Sequence, residues 1–130
     1  MYKQLFIQVS VGELVDKLTI LQIKKTKITN SSKLQNILLE LDFLTKSYHE
    51  LSLDSTIFNR LYDVNLKLWD IEDKLRELEK LNKFDSSFIE LARSVYKLND
   101  ERYRIKQEIN KIYASTIVEE KSYVEWIASH

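Results

Sequence analysis

The chain has no cysteine, no proline and one glycine, Gly12, in 130 residues. Without cysteine there is no disulfide scaffold, zinc ribbon or thiol nucleophile. One glycine cannot build a Gly-rich phosphate loop. A β-sandwich or barrel needs many tight turns, and turns draw on glycine and proline. Charge of one sign is missing too. Lys and Arg number 20 against 20 Asp and Glu, a formal net charge of zero, whereas nucleic-acid-binding domains carry a basic excess. No apolar run approaches the roughly 20 residues that span a bilayer. Residues 1–9 hold neither a long apolar stretch nor a small-residue cleavage site, the marks of a secretory leader. The expectation is a cytoplasmic protein with no nucleic-acid and no membrane partner.

Hydrophobic residues make up 44% of the chain, enough for the core of a single domain spanning residues 1–130. Along residues 3–9, Leu5, Ile7 and Val9 alternate with Gln4, Phe6 and Gln8. That is the period of an extended segment. A lone strand does not stand by itself, so the segment is either an arm packed on the body or a strand paired across a homodimer, and the arm is preferred. Four helical segments follow. Ser10 with Glu13, and Ser32 with Gln35, read as capping boxes. Asp54 or Ser55 suits the start of the third helix, and Asp85 to Ser87 that of the fourth.

The second helix carries Leu34, Leu38, Leu41, Leu44, Tyr48 and Leu51 on one stripe. The third carries Ile57, Leu61, Val64, Leu68, Ile71, Leu75 and Leu78, alternating steps of four and three as in a coiled-coil seam. The fourth repeats the rhythm with Phe88, Leu91, Val95, Leu98, Ile105, Ile109 and Ile112, and Arg102 interrupts it. Short polar links at 29–32, 52–55 and 82–87 make consecutive helices antiparallel neighbours. The fold class is therefore all-α: an antiparallel four-helix bundle, or a hairpin of two long central helices, with an extended N-terminal arm. Residues 114–130 form a tail, with a short helix from Thr116 as one option and a fold-back onto the bundle as another.

Polar residues flank the seam. Asn65, Trp69, Glu72, Asp73 and Arg76 share a face of the third helix, and Asn99, Arg102, Lys106 and Asn110 share one on the fourth. Glu13, Asp16 and Lys17 cluster at the start of the first helix. If these faces converge, carboxylates meet Arg102 and Lys106 in a partly buried setting. The structural explanation is an ion-pair network that fixes register, as buried polar residues do in coiled coils. The functional explanation is a pocket. Arg76, Arg102 and Lys106 would hold phosphate or carboxylate, the asparagines would read hydroxyls or amides, and Trp69 would wall the pocket. Glu13, Asp16, Glu72 and Asp73 supply the oxygen donors that Mg²⁺ takes. All-helical nucleotide pyrophosphatases use acidic pairs on neighbouring helices, and Glu13 with Asp16 and the Glu72-Asp73 pair fit that spacing loosely. His49, His130, Ser115 and Ser122 have no partner at a catalytic spacing. Gly12, in the first helical turn, either exposes backbone N–H groups to an anion or permits close packing.

The blocks VGELVDKLTIL from Val11, NLKLWDIED from Asn65, NDERYRIKQEIN from Asn99 and EEKSY from Glu119 together resemble a family of small bacterial and phage-borne proteins of unknown function. The resemblance implies an all-helical protein of this length and, by gene association, a sugar or nucleotide-sugar context. It implies no activity. Three readings follow. The first is a binding protein for a small anionic or hydroxyl-rich ligand such as a nucleotide, sugar phosphate or nucleotide-sugar. The second is an interaction or scaffold module whose contacts are Tyr2, Leu5, Phe6, Ile7 and Trp126. The third is a Mg²⁺-dependent nucleotide hydrolase.

Overall fold

The computed structural model describes residues 3–127; Tyr2 and His130 lie outside that range. Among the described residues the fold is four helices and no strand: α1 (Val11–Lys27), α2 (Ser31–His49), α3 (Ser55–Lys80) and α4 (Ser86–Ile112). α3 and α4 form the long antiparallel hairpin, 26 and 27 residues, about 40 Å each at 1.5 Å per residue. Arg60 of α3 pairs with Glu108 of α4 at 3.1 Å, which marks the register of the hairpin. α1 lies on its base. It is antiparallel to α4, since Gly12 meets Asn110 and Asp16 meets Arg102. It is parallel to α3, since Thr19 meets Asn65 and Lys27 meets Asp70. α2 packs along α1, and its end reaches α3 through Tyr48 against Phe58 at 5.6 Å between ring centres.

The core follows the expected seam, but only at the base. Val15, Ile57, Leu61, Val64, Leu68, Ile105 and Ile109 form one buried cluster, and Leu18, Leu21, Ile37 and Leu41 form a second between α1 and α2. Each such side chain contributes about 1.5–3 kcal/mol by leaving water. Beyond Leu68 on α3, and before Ile105 on α4, no side chain is fully buried. A helix face is dry only where a third element covers it. The 17 residues of α1 cover the base of the hairpin and leave its far half two helices thick.

Several local expectations are revised. Asn30, not Ser32, caps α2 by accepting from Lys33 N–H, because the helix starts two residues earlier than the Ser32 box requires. Ser10 does cap α1 by accepting from Glu13 N–H, but the Glu13 carboxylate turns to Lys106 instead of closing the box. Leu38 stands 43% exposed while neighbouring Ile37 is buried, so the inner stripe of α2 is rotated by one residue there. The expected arm forms neither helix nor strand among the described residues and is not packed down: Leu5, Phe6 and Ile7 are 76–87% exposed. Alternation creates a buried face only where a sheet or surface is present to receive it. The tail has no helix up to Ile127; it returns along α4.

The chain spends its one glycine on space. A Cβ at position 12 would stand 2.6 Å from the Lys106 carbonyl oxygen and 2.9 Å from Asn110 Oδ1. The helix ends that call for left-handed backbone take other residues instead, with Asn82 at φ 53° and Ala114 at φ 48°. Ala in that region is strained, and glycine is not. Two opposite shifts are expected in urea unfolding. Gly12→Ala lowers stability by about 1–3 kcal/mol through overpacking, against the usual gain from replacing a helical glycine. Ala114→Gly raises it by about 1 kcal/mol. A Gly12→Ala protein as stable as the parent would refute the close approach of α1 to α4.

Candidate functional site

The second turn of α1 places Asp16 toward the hairpin with only 1% of its surface exposed. An ionised carboxylate cannot remain dry without partners, and three helices supply them. Arg102 of α4 grips it with two parallel bonds, Nε to Oδ1 at 2.9 Å and Nη2 to Oδ2 at 2.5 Å. This planar fork is the geometry in which arginine binds carboxylate most strongly. Asn65 of α3 donates Nδ2 to Asp16 Oδ1 and to Thr19 Oγ1, each at 2.8 Å. Thr19 in turn donates to the Asp16 carbonyl at 2.7 Å. Lys106 lies one turn beyond Arg102, with its side chain 8% exposed, and its Nζ is 3.8 Å from Asp16 Oδ2. Its nearer partners are Glu13 at 2.9 Å and Glu119, on the returning tail, at 2.8 Å.

The arrangement is two cations among three carboxylates. Burial pulls the Lys106 ammonium down, but the bonds to Glu119 and Glu13 outweigh it and hold the group above its ordinary value. Arg102 is likewise raised, first by its bond to Asp16 and against the opposing effect of burial. Above this centre, the start of α1 is sealed. Its first three N–H groups are taken by protein acceptors: Val11 by Ser115 Oγ, Gly12 by Asn110 Oδ1 and Glu13 by Ser10 Oγ. The backbone donors that could have held an anion are thus already engaged. Among the described residues no buried side-chain polar atom lacks a partner, and no three His, Cys, Asp or Glu side chains gather as a metal site.

Of the twelve residues the sequence singles out, Glu13, Asp16, Asn65, Arg102, Lys106 and Asn110 come together here. Lys17 points away and pairs with Glu40 of α2 at 3.8 Å. Glu72, Asp73 and Arg76 are exposed on the far half of the hairpin, where Glu72 and Arg76 border a shallow groove with Phe88. Their phase on α3 matches Asn65, but α1 does not cover that stretch. Trp69 is half-buried between the two regions. Asn99 is half-buried on α4 and belongs to a second groove, enclosed by the tail. Three further members of the network are Thr19, which stands one turn along α1 on the face of Asp16, and Glu119 and Ser115 of the tail. Thr19 reads as a filler of α1, and Glu119 and Ser115 sit on a tail whose path no periodicity fixes.

The tail makes the second groove. Ser115 donates to the Ile117 carbonyl at 2.7 Å and turns the chain. Tyr103 donates its hydroxyl to the Glu119 carbonyl at 3.0 Å. Lys121 reaches over the Tyr103 ring at 5.2 Å. Trp126 donates Nε1 to Asp100 Oδ2 at 2.6 Å and lies beside Tyr96 at 6.2 Å. Between tail and helix is an open groove of about 460 Å³, its lining including Tyr96, Asn99, Asp100, Lys121, Tyr123 and Trp126.

A family described as of unknown function, DUF6165, matches residues 5–130. The chain belongs to this family. The DUF6165 match takes in α1 to α4 and the tail, and so every residue of the network and of the groove. No curated protein and no solved structure matches the chain. No helix among the described residues is long and apolar enough to cross a membrane.

Two measurements probe the centre. Asp16→Asn leaves Arg102 facing an amide and is expected to cost about 3–5 kcal/mol, the range for breaking a buried pair. Glu72→Gln, on the exposed stretch, should stay within about 0.5 kcal/mol. Equal effects in chemical unfolding would deny Asp16 its special position. The second measurement uses pH. Because folding raises the Lys106 pKa, its contribution is complete below the unfolded lysine value of about 10.4 and is lost as pH rises through the folded value. The difference in thermal midpoint between the parent and Lys106→Met should be constant from neutral pH to about 10 and shrink above it. A difference that instead grows with alkalinity would contradict the assignment.

Proposed function

We propose that this protein binds a small polar ligand, anionic or hydroxyl-rich, in the groove between α4 and its returning tail. The nucleotide, sugar phosphate and nucleotide-sugar classes all fall within this reading. The observation that carries it is the groove's mixture of side chains. Tyr96, Tyr123 and Trp126 offer rings, while Asn99, Asp100 and Lys121 offer an amide, an acceptor and a cation. Binding sites combine apolar and aromatic lining with a few convergent polar groups in this way. The Asp16 centre, by contrast, is read as a structural latch, since its charges satisfy one another. Its role toward the ligand is indirect, through Lys106 and Glu119, which hold the wall of the groove.

A second reading, an interaction module, draws on the exposed arm. Leu5, Phe6 and Ile7 project from a segment with no strand partner among the described residues. Pairing with the arm of a second copy would use it. The hydrolase reading has the weakest support, because Glu72 and Asp73 stand exposed on the far half of the hairpin, away from Glu13 and Asp16, and no group of acidic side chains that could hold a metal ion forms among the described residues.

A thermal-shift screen of the purified protein tests the proposal, using nucleotides, nucleotide-sugars, sugar phosphates and free sugars, each with and without Mg²⁺. Ligand at a hundred times its dissociation constant stabilises by about 2.7 kcal/mol, a shift of several degrees in a domain of this size. A hit that disappears in Asn99→Ala and Tyr123→Ala is the expected result. A flat screen, with a dimer in light scattering that is lost when residues 1–9 are removed, would replace the binding reading with the interaction reading.

A further inference from the structure

The charges of the groove narrow its ligand. Its charged lining is two carboxylates, Asp100 and Glu125, and one ammonium, Lys121. That ammonium is partly offset by Glu119 at 3.9 Å and lies over the Tyr103 ring. Lys97 lies close by, but its Nζ sits over the Trp126 ring at 5.0 Å. Ionised carboxylates accept hydrogen bonds and donate none. A phosphate at neutral pH is also an acceptor, so against Asp100 and Glu125 it meets repulsion and no donor. The phenol of Tyr123 registers the same field. It is raised above its ordinary value, first by loss of hydration and then by the Asp100 carboxylate, with Glu125 adding to it. A cation meets the carboxylates but brings no acceptor for the Asn99 amide N–H groups. A ligand that donates without net charge satisfies both constraints.

We infer that the groove selects a neutral, hydroxyl-rich molecule, a saccharide, over its phosphorylated counterpart. Vicinal hydroxyls donate to Asp100 and Glu125. The amide of Asn99 both donates and accepts, which suits a ring hydroxyl. The rings of Tyr96, Tyr123 and Trp126 give the apolar C–H face of a sugar a surface to lie on. Trp126 is positioned for this by its bond to Asp100, so the platform and the hydroxyl acceptor are one unit. This inference rests on the groove being the binding site.

The indole N–H of Trp126 is the reporter. The chain has two tryptophans, and Trp69→Phe assigns the two indole signals in a ¹⁵N-correlated NMR spectrum. The uniformly labelled full chain is titrated to tens of millimolar with glucose, galactose, N-acetylglucosamine, maltotriose and chitobiose. Parallel titrations use glucose 1-phosphate, UDP and spermidine. At least one neutral sugar should shift the Trp126 signal and leave that of Trp69 in place, with glucose 1-phosphate binding more weakly than glucose. Asn99→Ala should weaken the sugar about tenfold or more, as loss of a hydrogen bond in the site does. Asp100→Asn with Glu125→Gln should reverse the order of glucose and glucose 1-phosphate. If glucose 1-phosphate, UDP or spermidine shifts Trp126 at lower concentration than every neutral sugar, the saccharide inference fails and the groove reading stands. If no probe moves the Trp126 signal, both fail.

Discussion

One buried carboxylate sets the terms of this fold. Asp16 is 1% exposed, and a charge so placed is tolerable only with excellent geometry on all sides. Meeting that demand fixes three helices relative to one another. Arg102 must present its fork from α4, Asn65 must reach in from α3, and Thr19 must stand one turn along α1. Apolar packing alone leaves α1 free to slide along the hairpin, because leucine and isoleucine seams tolerate shifts by a turn. The ion pair does not, since a one-turn shift moves Asp16 by about 5.4 Å. Gly12 makes the same point in space. Only a residue without Cβ lets α1 approach the Lys106 carbonyl closely enough for the pair to close.

The carboxylate also explains why the tail is part of the structure. Arg102 is committed to Asp16, which leaves Lys106, nearly as buried, in need of charge. Glu13 supplies part of it from α1, and Glu119 supplies the rest from a segment with no helical or strand structure of its own. A segment without internal hydrogen-bonded structure stays in place only through such contacts. Ser115 helps by accepting the Val11 N–H, so the tail also caps α1. Helix start, buried pair and tail path are thus one set of bonds.

Much of this is legible in residue spacing. The seams from Ile57 to Leu68 and from Ile105 to Ile109 mark the core, and Asp16, Asn65, Arg102, Lys106 and Asn110 stand beside them in the right phase. Phase is a property of one helix, and a sequence displays it openly. Coverage is a property of two. Glu72, Asp73 and Arg76 have the phase of Asn65 but lie past the reach of α1, so water keeps them. The length of α1 is readable, but the point at which it crosses the hairpin is not. That point is set by Gly12 and Asp16 finding Asn110 and Arg102 in three dimensions. Tail residues are harder still. Glu119 shows no period, and its place follows from the unmet charge of Lys106, which becomes visible only once the helices are assembled.

The latch and the groove are coupled through the chain that joins them. Glu119 is bound to Lys106, and within the next seven residues the same tail presents Lys121, Tyr123, Glu125 and Trp126 to the groove. That wall is anchored at one end by the Glu119 contacts and at the other by the Trp126 bond to Asp100. Between the anchors it is exposed, with Val124 93% accessible. On the proposed reading, a wall held at its ends and exposed in its middle is where a ligand would enter without disturbing the helices. The buried charge sits at the Glu119 end of the tail, and the rings and polar groups of the groove sit beyond it. On the proposed binding reading, a fixed frame and an accessible wall would fall on adjacent turns of α4. The cost of burying Asp16 is what holds them in register.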